Sequence, residues 1–548
     1  MADTEDKRAL EVIQGWQRDD ADSSNTMNLY QQVADHFFQR ENSIITKRPE
    51  GEDKSLPVID PTGALDLQDM AAGMSAVVIP NGQFFFRLSA RDNRLNNIER
   101  IRSYLNYCTQ IMHEEMFRSN FLLEFNEYLN SLLGFGTACL FSGWDQATQS
   151  LFYKDWDVAF YRFRTDYMGN PDQCRIRWAY TAEQAYQLFG DMAGKKVIEA
   201  ANNPKKQQEK THFIFQVRRR RNRDATKSDN MNYPIEELVV NEAEKMIVRE
   251  GGYLHFPYHI TRWLVGSQEI WGRGQGTVAL SADKELQRQK KSLLLCADLA
   301  NNPPRQTLTG FEGTPKVYPG ANNVVTEKDQ ITALDRNLQG NFPITKDTIQ
   351  MQQDLIHRCF YVKVFAPLDN LPGDRRTTVE IIERVKAGYM RLILPSTRLY
   401  NEGLTPILVR TFHLLLRNHI LPPPPPELRG LKIEYLGRLA LALQEQQSDA
   451  LQRYAQFSLL MEQIVPGFTE EVINVRRAGR RMATTFGLNE GDLNTEDEAN
   501  AVRQKRDQMQ QATMQMEAMQ AAGKSFKDAS SKPEAGSPAE NMLAQIGG

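Results

Sequence analysis

Two long stretches of helical hydrophobic periodicity lie in the second half of the chain, on either side of an irregular insert. The first helix is predicted over residues 277–301 and ends at Asn302-Pro303-Pro304, because proline lacks an amide hydrogen and excludes the preceding residue from helical geometry. The second is predicted over residues 345–365, with Thr345 as its N-cap and Asp347 in its first turn. At 1.5 Å per residue the two helices would be about 37 Å and about 32 Å long. The pattern predicts a helical hairpin.

The insert of the hairpin, residues 303–343, carries strand and turn signals rather than helical periodicity. Strands are predicted near residues 306–309, 316–320 and 323–326, where β-branched and aromatic residues alternate with Pro, Gly and Asn. A small β module is therefore expected on the two helices. A polar loop and a third helix, from Thr377 toward Leu394, are predicted to follow.

The first half of the chain alternates between helical and extended patterns. Amphipathic helices are predicted over residues 28–41 and within 94–133, and Gly134 and Gly136 interrupt the second of these before a strand at 137–141. Further extended segments are predicted near residues 150–164, 174–180, 211–221, 236–248 and 253–264. The predicted fold class is α+β, mainly helical.

The C-terminal part is predicted to be helical over residues 404–416, 437–486 and 497–522. In the last of these, apolar side chains recur at the 3-4-3 spacing of a short coiled-coil face, namely Met509, Ala512, Met516 and Met519. The composition after Gly523 predicts a mobile tail.

Composition narrows the classes of function. The 548 residues are too many for one core, and the 66 Lys and Arg against 69 Asp and Glu give a net charge of -3, so the chain is not a basic protein that coats nucleic acid. Any contact with DNA is expected to be local. The polar N-terminus and the absence of an apolar run of about 18 residues predict synthesis in the cytoplasm and no membrane span. Five widely spaced cysteines favour a reducing compartment.

Candidate catalytic motifs are weak. Residues 190–196 resemble a phosphate loop but are one residue short and lack the Ser or Thr that holds magnesium. The glycines of residues 271–276 precede a helix, where close packing is a better explanation than phosphate binding. His255 and His259 flank Pro257, which favours structural roles over a metal site. We predict no enzymatic activity, no cofactor and no metal.

Clusters of basic residues are more informative about function than these catalytic motifs. Arg218 to Arg221, with Arg223, follow a predicted strand and are interpreted as a solvated strand end or subunit-interface ion pairs in preference to a DNA contact. In the first hairpin helix Lys284, Arg288 and Lys291 recur on one face. Repeated around a closed ring, such groups would form belts of positive charge.

The order and spacing of four segments resemble the portal, or head-to-tail connector, protein of short-tailed bacteriophages of the podovirus type. These segments are residues 133–141, 271–276, 302–304 and 376–382. The resemblance implies a dodecameric ring around an axial DNA channel at one capsid vertex. It implies a wing at residues 1–276, stem helices at 277–301 and 345–365, a clip at 302–344, a channel loop at 366–376, a tunnel helix at 377–401, the rest of the wing with the crown at 402–490, and a C-terminal helical extension with a mobile tail at 491–548.

The resemblance also implies partners and sites. The expected partners are double-stranded DNA bound without sequence preference, the large terminase subunit, major capsid and scaffolding proteins, and tail or adaptor proteins. The expected place is the virion. Candidate channel residues are Lys346, Arg358, Lys363, Arg375 and Arg376; candidate clip residues for terminase or tail docking are Arg305, Lys316 and Lys328.

Two alternatives remain open from the sequence. A non-conducting structural ring or adaptor protein of the virion would have the same helices but no need for a channel loop. A DNA-processing enzyme would need clustered carboxylates for metal ions, for which the only faint candidates are Asp155 with Asp157 and Asp369 with Asp374.

Overall fold

Helices and antiparallel strands alternate along the part of the chain that the computed structural model describes. The described residues are 2–38, 43–46, 58–80, 83–92, 94–223, 226–227, 229–301, 305–307, 331–333, 342–365, 388, 391–392, 395–428, 430–437, 479 and 496–529. They belong to two compact units, Met1–Leu443 and Gln444–Gly548. The mixture of helices and sheets confirms the predicted α+β class.

Helices of the first unit are α1 Ala2–Phe37, α2 Thr62–Val78, α3 Glu99–Arg118, α4 Phe121–Gly134, α5 Ala182–Phe189, α6 Lys195–Ala201, α7 Gln275–Asn301, α8 Phe342–Cys359, α9 Val362–Phe365 and α10 Thr405–Arg417. Its strands are β1 Phe86–Ala90, β2 Thr137–Asp145, β3 Ser150–Trp156, β4 Tyr161–Thr165, β5 Pro171–Thr181, β6 Lys210–Arg219, β7 Ile235–Asn241, β8 Met246–Tyr253, β9 Tyr258–Arg262, β10 Arg305–Thr307, β11 Ile331–Ala333 and β12 Leu431–Tyr435. In the second unit α11 spans Glu496–Ala529.

The main core forms where α4 packs against a three-stranded sheet. Phe121, Phe125, Leu129 and Leu132 recur every three or four residues along α4, and all four are fully buried. The sheet has the order β3-β2-β9, with β2 in the middle and antiparallel to both neighbours. The predicted helix, the glycine break and the predicted strand at residues 137–141 are thus confirmed.

A second, five-stranded antiparallel sheet has the order β4-β5-β6-β7-β8, and the first half of α1 covers one of its faces. The apolar side chains of this contact are Ala9, Val12, Ile13 and Trp16 on α1 and Ile214, Leu238 and Val240 on the sheet. The second half of α1, including Tyr30, Val33 and Phe37, packs into the main core. One helix therefore joins both layers.

The sequence analysis was wrong about the extent of α1 and missed α2. The helix predicted over 28–41 begins at Ala2 and ends at Phe37. Its early part is largely charged, so the apolar spacing of Ala9, Val12, Ile13 and Trp16 was the available signal. In α2 the small residues Ala and Gly gave little amphipathic contrast, although Leu67, Met70 and Met74 are buried.

The predicted helical hairpin is present, with corrected ends. Helix α7 begins at Gln275, two residues before the predicted start, and reaches Asn301 as predicted. Helix α8 begins at Phe342, so Thr345 lies inside it and is not its N-cap. The second helix is also not continuous to residue 365, because Tyr361 has a φ of 55° and separates α8 from α9.

The insert contains one antiparallel strand pair among its described residues. Strand β10 overlaps the strand predicted at residues 306–309, and Arg305 pairs with Ala333 of β11, which the sequence analysis did not predict. The strands predicted at 316–320 and 323–326 lie outside the described residues. The same holds for the polar loop, most of the third helix and nearly all of 437–486.

The C-terminal helix α11 is longer than predicted. It continues past Gly523 to Ala529, seven residues beyond the predicted end at 522, and the mobile tail stays a prediction. Met509 and Met516 are exposed. No helix among the described residues combines the length and apolar character that crossing a membrane requires.

Candidate functional site

Two segments that carry the resemblance meet in a close contact between backbones, which we call the glycine crossing. It brings Gly134 and Gly136, at the end of α4, against Gly272 and Gly274, before α7. A Cβ at Gly272 would lie 1.9 Å from the carbonyl oxygen of Gly136, and one at Gly274 would lie 2.5 Å from that of Gly134. Only glycine permits this approach.

Hydrogen bonds hold the glycine crossing together. The amide of Gly274 donates to the Phe135 carbonyl at 3.0 Å, and the amide of Gly272 donates to Thr137 Oγ1 at 2.8 Å. The buried hydroxyl of Tyr30 donates to the Gly272 carbonyl at 2.5 Å. These glycines therefore fix where α7 leaves the body, as the packing interpretation expected.

One side of the helical hairpin is fixed to the body by buried carboxylates. Asp283 on α7 accepts from His36 Nδ1 at 2.7 Å, and Asp66 on α2 accepts from His357 Nδ1 of α8 at 2.7 Å. Asp60, just before α2, lies 3.2 Å from Lys290 Nζ. Each buried carboxylate thus has a cationic or hydrogen-bonding partner, which offsets the cost of its desolvation.

The pKa values of two of these carboxyl groups show how the contacts act. Burial alone would raise the pKa of Asp60, but hydrogen bonds from Thr62 and the charge of Lys290 hold it below its ordinary value. For Asp66 burial prevails over the interaction with His357, so its pKa is raised. The first carboxylate stays ionised at neutral pH, and the second is the more readily protonated of the two.

The opposite side of the hairpin is open to solvent in the described chain. Lys284, Arg288 and Lys291 are all exposed on one face of α7, as their spacing predicted. Of the three, Lys284 still reaches the body, because its Nζ donates a 2.5 Å hydrogen bond to Gln32 Oε1 of α1. Large apolar side chains are also exposed on the two hairpin helices; they are Val278, Leu294, Leu295, Met351 and Leu355, each between 44% and 69% exposed.

The channel and clip candidates are only partly within the described residues. Lys346 and Arg358 are exposed on α8, and Lys363 is exposed on α9 after the positive-φ residue Tyr361. Arg305 begins β10. Arg375, Arg376, Lys316 and Lys328 lie outside the described residues. The structure therefore brings three channel candidates to α8 and α9, and their contact with DNA stays a prediction.

The segment that resembles a phosphate loop is occupied by a side chain of the protein itself. The carboxylate of Glu244 accepts from the amides of Lys195 and Lys196, both at 3.0 Å. These are the donors that a phosphate would need at the start of α6. The motif is a local helix cap.

The arginine run after β6 forms ion pairs inside the five-stranded sheet. Arg218 donates to Glu236 of the neighbouring strand, and Arg220 donates to the carbonyls of Tyr233 and Gly251 at 3.0 Å. Arg221 and Arg223 are exposed. Arginines on the two faces of the strand alternate, as expected. The inward-facing Arg218 and Arg220 form hydrogen bonds within the sheet.

The other candidate groups also have structural partners. His259 is buried and hydrogen-bonded to Ser142 Oγ at 2.8 Å, and Asp157 accepts from the Ala159 amide at 2.9 Å within a turn. Among the described residues no group of three or more His, Cys, Asp or Glu side chains is placed to hold a metal ion.

Sequence reasoning missed the residues that anchor the hairpin. Asp60 and Asp66 belong to the unpredicted region around α2, and their partners on α7 and α8 are more than 200 residues away. A carboxylate directly between two leucines, as at Asp66 between Leu65 and Leu67, is a signal that could have marked a buried partner.

A long helical hairpin fixed on one side and open on the other is typical of a protein that works by assembling with other chains. A family model described as "Bacteriophage head to tail connecting protein" matches residues 9–493. The chain belongs to this family, and the function expected from the resemblance, a structural head-to-tail connector of the phage virion, is confirmed.

Two relatives support the assignment over most of their length. The chain is 23% identical over 475 residues to a "Probable portal protein" of Bordetella phage BPP-1, a match that covers 83% of each protein. It is also 23% identical over 566 aligned positions to the "Portal protein" of Salmonella phage epsilon15, covering 100% of this chain and 99% of that protein.

Proposed function

We propose that the protein forms a ring of twelve copies at one capsid vertex and acts as a portal, the conduit through which DNA is packaged, retained and ejected. Both relatives are named as portal proteins and match along most or all of the chain. The ring, its copy number and its contact with DNA are the parts of this proposal that go beyond membership of the connector family.

The observation that carries the proposal is the asymmetry of the helical hairpin. Its inner side is bound to the body through Asp60, Asp66 and Asp283, whereas Lys284, Arg288 and Lys291 remain exposed on α7. Exposed apolar side chains beside these cations offer surface that neighbouring copies can bury. Ring closure would repeat the basic groups around an axis.

The charge of the chain suits a conduit better than a tight DNA binder. With a net charge of -3, each copy can offer local basic groups without strong overall attraction to phosphate. Each neutralised phosphate adds affinity, so dense neutralisation would hold DNA in place rather than let it pass. Weak contacts without sequence preference are the expected mode.

The remaining assignments follow from this proposal. Lys346, Arg358, Lys363, Arg375 and Arg376 would face the channel, and the clip at residues 302–344 would dock the large terminase subunit or tail proteins. The wing and crown would contact capsid and scaffolding proteins. In this scheme the terminase, and not this chain, supplies the energy of translocation.

Electron microscopy of the purified full-length protein tests the ring. We expect negative-stain class averages to show closed rings with a central hole wide enough for a DNA duplex, and rotational analysis to give twelve copies. Closed rings without such a hole would favour the non-conducting structural ring. Particles that remain monomeric at every salt concentration tried would contradict the ring itself.

A packaging assay tests the channel residues. A phage that lacks its own gene for this protein is complemented with Lys363→Gln/Arg375→Gln/Arg376→Gln, and packaged DNA per capsid is measured. We expect capsids to form normally while DNA content or retention falls. Unchanged packaging and retention would remove these three residues from the channel.

A matched variant separates this effect from a general loss of charge. Lys205→Gln/Arg221→Gln/Arg223→Gln removes three cations that are exposed beside the five-stranded sheet. Because these positions are remote in sequence from the hairpin, we expect wild-type DNA content. An equal defect in both triple variants would point to total charge and against a channel lined by the first set.

A further inference from the structure

A small pocket lies between the β2–β3 hairpin, the segment linking β8 to β9, and α10. Its volume is about 260 Å³, and Phe141, Trp144, Phe152 and Tyr253 form aromatic walls. Drug-sized ligands usually occupy cavities of about 300 Å³ or more, so this pocket suits a smaller group. Neither the hairpin nor the channel candidates contribute to its lining.

Arg410 brings a buried positive charge to this pocket. Its side chain is one of the lining groups, yet the residue is only 5% exposed. Its Nε donates to the Ser142 carbonyl at 3.0 Å and its Nη1 to the His255 carbonyl at 2.7 Å. Its guanidinium carbon also lies 5.1 Å from the centre of the Tyr253 ring, but among the described residues Arg410 makes no salt bridge, and no carboxylate lines the pocket.

The nearest candidate counter-charge is already engaged. Glu237 accepts from the Tyr253 hydroxyl at 2.8 Å and from Arg249 at 3.2 Å, so it lies behind the aromatic wall. Burial lowers the pKa of Arg410 to about 10, which still leaves the guanidinium charged at neutral pH. Buried charges in proteins are normally paired, but the direct partners of this guanidinium are two carbonyls and the ring of Tyr253, and Glu237 acts on it only electrostatically.

A second unsatisfied donor lies on Trp144, one of the residues that line this pocket. The indole Nε1 of Trp144 is buried and has no hydrogen-bond acceptor in the described structure. The stacked rings of His255 and His413, whose centres are 4.2 Å apart, add no further positive charge at neutral pH, because burial lowers the pKa of both. Arg417 adds an exposed cation among the lining residues.

We propose that this pocket binds a carboxylate carried on a small aromatic or apolar group. The carboxylate would accept from the free Nη2 of Arg410 and from Trp144 Nε1, and the apolar part would pack against Phe152 and Tyr253. A planar carboxylate matches the fork of a guanidinium. The single buried cation and the apolar walls favour this ligand over a nucleic-acid backbone, which needs repeated exposed cations.

Two sources can supply such a group, a free carboxylate or one carried by a protein segment. The test uses full-length protein, separated by size exclusion into assembled and unassembled fractions. The probe is 4-fluorobenzoate observed by fluorine NMR. We expect line broadening that excess benzoate reverses and that benzamide, which has no charge, does not.

Two variants locate the site. Arg410→Gln should abolish the broadening, and Trp144→Phe, which keeps a ring but removes the N–H donor, should weaken binding by about tenfold. Because Arg410 also bridges two backbone carbonyls, its variant can fail to fold, and Trp144→Phe then carries the test. Trp178→Phe is the matched control, since Trp178 packs on Trp156 outside the pocket and should leave binding unchanged.

The outcomes distinguish the two sources. A short peptide ending in phenylalanine is compared with the same peptide carrying a C-terminal amide. Displacement of 4-fluorobenzoate by the free acid alone would show that a carboxylate of a protein segment can enter the pocket. Binding confined to unassembled protein would indicate that a neighbouring copy supplies the carboxylate in the assembly. No competable broadening in either fraction, equal competition by benzamide, or unchanged binding by folded Trp144→Phe would overturn the proposal.

Discussion

The α+β body, comprising α1–α6 and β1–β9, and the helical hairpin of α7, β10, β11 and α8 differ in how their arginines and lysines are paired. In the body, carboxylates and arginines pair inside the chain, as Asp19 does with Arg164 and Arg175. On the hairpin, Arg288 and Lys291 and the apolar Leu295 and Met351 are exposed together. These ion pairs of the body are satisfied within one chain, whereas the exposed cations and apolar side chains of the hairpin present surface suited to other copies or to DNA.

We expect the largest loss of stability when the glycine crossing, which joins the body to the hairpin, is disturbed. In Gly136→Ala the new Cβ would lie 2.2 Å from backbone atoms of Arg273 and Gly274, at a residue whose φ is 99°. We expect a loss of more than about 4 kcal/mol of unfolding free energy, since crowding and backbone strain add. Urea unfolding followed by circular dichroism, or loss of soluble protein, measures this.

The variant Gly169→Ala separates the effect of backbone strain at a positive φ from the effect of a crowded Cβ. Gly169 has a φ of 83°, but nothing lies within 4 Å of its added Cβ. We expect a loss of only about 1–2 kcal/mol. Equal losses in the two variants would mean that the close contact does not matter.

The next largest effect is expected where α1 meets the five-stranded sheet. Asp19→Ala leaves the buried guanidinium of Arg175 without its carboxylate, so we expect a loss of about 3 kcal/mol. Asp22→Ala is the matched control, because its ion pair with Arg164 at 3.1 Å is exposed and should contribute below about 1 kcal/mol. Similar unfolding midpoints for both variants would contradict a structural role for the buried pair.

Lowering the pH should destabilise the folded body, because the unfolded chain binds a proton at His113 more readily than the folded chain does. Burial lowers the pKa of this ring to about 4, and its Nε2 lies 3.3 Å from the Phe86 carbonyl. Between pH 6.5 and 4.5 the unfolded chain binds a proton at His113 that the folded chain does not, so unfolding free energy falls as pH falls, by roughly 2 kcal/mol. In His113→Gln, which can still donate to that carbonyl, we expect a shallower pH dependence by about this amount. An unchanged slope would refute the assignment.

The smallest effect on folding is expected on the open side of the hairpin. Lys284→Gln/Arg288→Gln/Lys291→Gln alters only exposed groups, so each change should cost less than about 0.5 kcal/mol. The same variant should nevertheless change the salt dependence of DNA retention in assembled particles. Lys290→Gln, which removes the partner of Asp60, should instead lower stability. A stability loss in the triple variant larger than that of Lys290→Gln would reverse the distinction between the two sides.

Local patterns in the sequence predicted much of the fold and of the open face. Proline stops and helical periodicity placed α7 and its exposed cations correctly, because these depend on neighbours three or four residues away. The start of α8 was misplaced because Thr345, a good N-cap residue, lies in the first turn of a longer helix. The interruption at Tyr361 had no glycine to signal it.

The sequence by itself determined many of the elements, the glycines that permit a close approach and the basic spacing on α7. Tertiary structure decided which glycines meet and which carboxylates anchor the hairpin. It also decided that Arg410 is buried without a carboxylate partner. Gly136 and Gly272 are distant in sequence, as are Asp66 and His357, so no local pattern could pair them. Helical periodicity acts over one or two turns, whereas burial and charge pairing depend on whichever distant segments the fold brings into contact.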